Sequence, residues 1–196
     1  MASTNAATMA GTPEQIIERN ELYRLVGKAL SQWADLELKL HLLAFRNWRD
    51  VDLIHLSEML DAVISFDAKM KIIATIVKRH AQSDEAIALW PHIAAHIFKL
   101  KKKRDKIAHG IITQKLLSMP YVLLPYISFA NLTHEAFNGA MTATDLKRHI
   151  GHFEEATYVI LEFSWIAMGG DRPPEGIHAQ AQQRLLEFRA KAGLTP

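Results

Sequence analysis

Between Lys99 and Lys106 the chain reads KLKKKRDK, six cations against a single acid, Asp105. At about 100° per residue, Ile93, Ile97, Leu100, Arg104 and Ile107 fall on one helical stripe, at spacings of four, three, four and three. Lys99, Lys102 and Lys106 project from polar faces, where cations near a helix C-terminus complement its dipole, each by about 0.3–1 kcal/mol. That explanation does not reach Arg104, which stands where a leucine is expected. An unpaired guanidinium on an apolar face is costly, so it needs a carboxylate partner or a second surface that completes it. Glu37 is the matching acid: it interrupts the line Tyr23, Val26, Leu30, Trp33, Leu40 and Ala44 on another amphipathic segment. Such a pair either fixes helix register as a buried ion pair or orients an active-site Arg.

The histidines offer a second chemistry. His92 and His96 stand at i, i+4, and His149 and His152 at i, i+3, so each pair can share a helix face and hold a metal. Each pair has only two evident ligands and nothing like HExxH accompanies them, so neither a metal nor a cofactor is expected. No glycine-rich phosphate loop and no GxSxG elbow is present. The absence of cysteine excludes a disulfide scaffold, an iron–sulfur cluster, a thiolate zinc site and a cysteine nucleophile, and fits a reducing, cytoplasmic compartment.

These residues need elements to position them. The 196 residues are 49% apolar and 22% charged, the proportions of one globular domain. A formal charge of +2 is too small to announce a nucleic-acid binder, so the distribution of charge carries more than its sum. Residues 1–11 are expected to be a disordered tail. Thr12-Pro13-Glu14-Gln15 reads as a helix start, with Thr as N-cap and Gln three residues on. An amphipathic helix is expected from there to about Asn47. A second helical region covers Ser57–His80, with a break near Ser65. Ser83 followed by Asp84 and Glu85 starts a third helix, which Pro91 kinks or restarts and Gly110 caps. Residues 111–141 read as an irregular insertion with a small hairpin. The run Leu116–Thr133, holding Pro120 and Pro125, suits two short strands rather than a membrane span. Asn138-Gly139 signals a turn. Thr142 or Thr144 caps a fourth helix, closed by Gly169-Gly170. Residues 171–196 form a linker and a short appended helix from Ile177 to Lys191. The expected fold is all-α, an up-and-down four-helix bundle over residues 12–170.

The segment Arg104-Asp105-Lys106-Ile107-Ala108-His109-Gly110 resembles the signature of HEPN domains (higher eukaryotes and prokaryotes nucleotide-binding). There an Arg precedes a His by four to six residues at the end of the third helix of a four-helix bundle. The same loose spacing occurs at Arg49–His55, in an expected interhelix loop, and at Arg172–His178, across Pro-Pro. Only Arg104–His109 closes a long amphipathic helix. Trp33-Ala34-Asp35-Leu36-Glu37 is similar to a WxxxE motif seen on the first helix of such proteins. The resemblance implies metal-independent RNA cleavage in a toxin or phage-defence context, in which a 2′-hydroxyl attacks the adjacent phosphate. His109 would take the proton, Arg104 would stabilise the phosphoryl charge, Asp105 would orient one of them, and Glu37 would hold Arg104. Lys101, Lys102, Lys103 and Lys106 would grip the RNA backbone. It also implies a homodimer with two Arg–His pairs in one cleft, and an antitoxin or regulatory protein as partner. One departure stands out: the position after the Arg is most often Asn in nuclease members, and here it is Asp105, which either orients the Arg or repels a phosphate. A non-catalytic bundle that binds nucleotide, RNA or protein is the alternative.

Overall fold

Local capping chemistry starts each of the first four helices. In the computed structural model, which describes residues 12–46, 65–114, 119–125, 139–169 and 175–194 with a few isolated positions between them, helix α1 spans Pro13–Phe45. Thr12 and Gln15 form a reciprocal box: the Gln15 N–H donates to Thr12 Oγ1 at 3.4 Å, and the Thr12 N–H donates to Gln15 Oε1 at 3.0 Å. Helix α2, Phe66–His80, starts at Ser65, whose hydroxyl accepts from the Ala68 N–H; the expected break falls there. Residues 57, 59, 61 and 64 of the expected second helical region lie outside the described residues. Helix α3, Asp84–Ala108, starts at Ser83, which accepts from the Ala86 N–H at 3.2 Å. Helix α4, Ala143–Met168, starts at Thr142 rather than Thr144. The Thr142 N–H donates to Asp145 at 3.0 Å, and that hydrogen bond is the main reason the Asp145 carboxyl is held below its usual pKa.

Helix α3 runs through Pro91 without restarting there. The proline is exposed, and its missing N–H leaves the carbonyl of Ile87 without its intrahelical donor. Gly110 also plays a different part. It is absent from the positive-φ glycines, so it is no left-handed cap. The α3 end closes instead through His109 N–H to Asp105 C=O at 3.1 Å and Gly110 N–H to Ile107 C=O at 3.3 Å. Glycine is required there because Leu123 packs onto it: a Cβ would lie 2.6 Å from Leu123 Cδ1 and 3.0 Å from the Lys106 carbonyl oxygen.

The insertion holds a hairpin; one strand lies in the expected run and the other just before it, while residues 126–133 of that run lie outside the described residues. Strand β1, Ile111–Thr113, follows the helix after two residues, His109 and Gly110, and pairs antiparallel with β2, Val122–Leu124, in the register Ile112 to Leu123. Only β2 falls within the Leu116–Thr133 run. Leu123 also exchanges backbone hydrogen bonds with Met141, at 2.9 and 2.8 Å, which ties the far end of the insertion to the sheet. The Ala140 N–H donates to the Phe137 carbonyl, as the Asn138-Gly139 turn signal predicts.

Among the described residues the chain is mostly helical, with five helices and this two-stranded sheet, and it divides into two compact units. The first comprises residues 1–32 and 101–151; its buried side chains include Leu22, Leu25, Ile107, Leu123, Leu146 and Ile150. The second comprises 33–100 and 152–196 and is built around aromatic contacts. Trp33 packs on Phe66 and on Phe153, each at 5.5 Å between centroids, and Trp90 stacks on Phe163. Helix α5, Glu175–Lys191, starts two residues before the expected Ile177 and is no loose appendage. Ala181 and Leu185 are buried, Arg184 meets Glu155 of α4, and Arg189 meets Glu85 of α3. The α4 C-terminus is finished by Gly169 at φ 70°, with Arg46 Nε donating to its carbonyl and Gln82 donating to those of Ala167 and Met168.

Two glycines therefore respond in opposite directions to a methyl group. Gly110→Ala should destabilise the fold by about 1–3 kcal/mol through the overlap with Leu123. Gly27→Ala, in the interior of α1 with nothing within 4 Å of its would-be Cβ, should stabilise it by about 0.5–1 kcal/mol. Denaturant unfolding of both variants against the parent chain measures the pair.

Candidate functional site

The last turns of α3 carry the cations, and Lys101, Lys102, Lys103, Arg104 and Lys106 lie within the first unit. The stripe predicted from sequence is real: Ile93, Ile97, Leu100 and Ile107 are each at most 5% exposed. Arg104 continues that stripe half-buried, its side chain 33% exposed. A flexible guanidinium reaches the boundary of the core and keeps its head at the edge of water. The acid that it meets is its neighbour: Arg104 Nη1 donates to Asp105 Oδ1 at 3.1 Å. The other oxygen of the same carboxylate accepts from Lys101 Nζ, also at 3.1 Å. Asp105 thus bridges two cations, one adjacent and one a helical turn earlier. Glu37, expected to orient Arg104, is half-buried on the part of α1 that belongs to the second unit, beside Lys69, Phe66 and Met70.

Lys102, Lys103, Lys106 and His109 are exposed. At 100° per residue, Lys102, Lys106 and His109 lie within a sector of about 60° of the helix surface. They make an open cationic face that ends in an imidazole. His109 is the first residue past the helix, and its backbone is held by its own N–H bond to Asp105, by buried Ile107 before it and by the Leu123–Gly110 contact after it. The side chain is free to meet a ligand while its root is fixed. Arg104 and Asp105 point from a different sector, so the turn has two cationic faces: one open, and one closed by an internal carboxylate.

The sequence-spaced histidines meet different surroundings. His92 is exposed and lines a groove of about 310 Å³ with Glu85, Leu89 and Arg189, whereas His96 is half-buried with its ring edge-on to Phe188 at 5.5 Å. His149 is buried and belongs to the first unit; His152 is half-buried and belongs to the second. Among the described residues no group of three or more His, Asp or Glu is placed to hold a metal ion. The histidines that do influence one another are His96 and His152, on different helices, an encounter that no spacing along the sequence displays. Sequence reading also missed the Glu162–His178 contact at 3.1 Å, where a carboxylate 5% exposed takes a partner from α5. No helix among the described residues is long and apolar enough to cross a membrane.

No family model, no curated protein and no solved structure matches the chain.

Burial is the chief reason that His96 holds its proton less readily than an ordinary imidazole; His152, Lys99 and Lys191 add to this, and Glu155 opposes it. A histidine whose folded pKa is depressed contributes stability above its unfolded value, near 6.5, and loses it as pH falls toward the folded value. Unfolding free energy should therefore fall more steeply between pH 7 and pH 5 in the parent chain than in His96→Gln. Denaturant titrations at several pH values measure the difference.

Proposed function

We propose that the chain is a HEPN-type endoribonuclease that works as a homodimer in a toxin or phage-defence context. In this reading α1 to α4 form the up-and-down four-helix bundle of that superfamily. The observation that carries it is the end of α3: a half-buried, permanently charged Arg104 and an exposed His109 beside Lys102 and Lys106. His109 takes the proton of a ribose 2′-hydroxyl, a role that suits the side chain titrating nearest neutrality. The 2′-oxygen attacks the adjacent phosphorus, and the 5′-oxygen leaves and takes up a proton from a second histidine. The products are a 2′,3′-cyclic phosphate and a 5′-hydroxyl end. Arg104 stabilises the charge that grows on the phosphoryl oxygens, which a planar guanidinium does through paired N–H donors. Asp105 positions Arg104 in the free protein. Lys102, Lys103 and Lys106 hold the RNA backbone.

Helix geometry supports the homodimer that the resemblance implies. Arg104 and His109 are about 140° apart around the helix axis, so one copy does not aim both side chains at one phosphate, and two copies facing each other do. An antitoxin or regulatory protein that covers this surface is the partner expected of such an enzyme.

A second reading, a non-catalytic bundle of the same shape that binds nucleotide, RNA or protein, draws on the Asp105 contact, because a carboxylate already occupies the guanidinium. Cleavage separates the two. Purified protein should cut RNA in EDTA and leave cyclic phosphate ends. His109→Ala and Arg104→Ala should each lower the rate by at least about 100-fold, with circular dichroism unchanged. RNA binding without cleavage, unaffected by His109→Ala, would establish the binding module instead.

A further inference from the structure

We infer that Asp105 is an internal counter-ion that withholds Arg104 and Lys101 from RNA, so that the free chain meets a nucleic acid first through the open Lys102–Lys106–His109 face. This rests on the ribonuclease reading above and adds the control of that same site. The geometry is specific. One carboxylate puts an oxygen on each of two cations, at 3.1 Å in both cases. These are the donors that a phosphate would take, and a phosphate presents the same kind of oxygen to them. All three side chains are about a third exposed. Pairs of that kind add little to folding stability, so the carboxylate matters chiefly through the charge it cancels. Phosphate has to displace it before Arg104 can act.

The consequence is countable. Each phosphate neutralised on single-stranded nucleic acid contributes about 0.7 to the slope of log affinity against log salt. With Lys102, Lys103 and Lys106 engaged, raising salt from 50 to 200 mM should weaken binding about 20-fold per subunit; with Arg104 and Lys101 released as well, about 130-fold.

The experiment measures binding of a labelled oligouridylate by fluorescence anisotropy across that salt range, in a His109→Ala background that prevents cutting. Asp105→Asn should bind more tightly at low salt and show the steeper dependence. Adding Lys101→Gln should bring the loss back to about 50-fold. Asp105→Ala is read in parallel, and circular dichroism checks helix content in each variant. If the parent and Asp105→Asn bind with equal slopes, the counter-ion inference is overturned and the ribonuclease reading stands. A steeper slope that Lys101→Gln leaves untouched also overturns it, because the shared carboxylate would then release one cation only. If neither form binds the oligonucleotide at low salt, the ribonuclease reading fails and takes this inference with it.

Discussion

A guanidinium that shares a stripe with Ile97, Leu100 and Ile107 can be neither dry nor fully wet, and the end of α3 is arranged around that constraint. Full burial would strip the charge of water without return; full exposure would leave a gap in the apolar face. The chain takes the middle course: the stem lies along the stripe, the head reaches the boundary, and a carboxylate on the next residue meets it. Placing an acid at that position sets the contacts of Asp105 with Arg104 and Lys101 within about one turn of one helix. It also leaves Lys102 and Lys106 uncommitted on their own face. The cationic run that looks uniform as a sequence is therefore two surfaces with different availability.

Much of the fold was legible because it is decided within four residues. The boxes at Thr12 and Thr142 and the caps at Ser65 and Ser83 are side chains reaching their own first turn. Of the α1 line read from periodicity, Trp33, Leu40 and Ala44 are buried, whereas Tyr23 at its start is exposed. The restart that Pro91 offers does not occur: the proline stands exposed inside α3, and the helix runs on past it. Gly110 was misread because its reason for being glycine is thirteen residues away, at Leu123. The same holds for the α4 C-terminus, where Arg46 and Gln82 arrive from distant parts of the chain.

The candidate site was legible in part. Residue types and spacing singled out Arg104, Asp105, His109 and the lysines, and all of them lie on the last turns of α3 and the residue after it. What the spacing did not give was which acid meets the arginine. Glu37 stands out because it interrupts an apolar line, but helical periodicity does not display the contact of Arg104 with the next residue in the chain, Asp105. Nor did it separate Lys101 from its neighbours, since tying that lysine down needs a carboxylate one turn on with a free oxygen. Histidines paired by eye along a helix met different surroundings for the same reason.

The helix gives way to strand β1 across two residues, His109 and Gly110, and the second lies under a leucine of the opposite strand. There is no slack in such a joint. A tilt of the two-stranded ribbon becomes a swing of the imidazole at its base, so whatever grips the ribbon from outside has a lever on His109 without touching it.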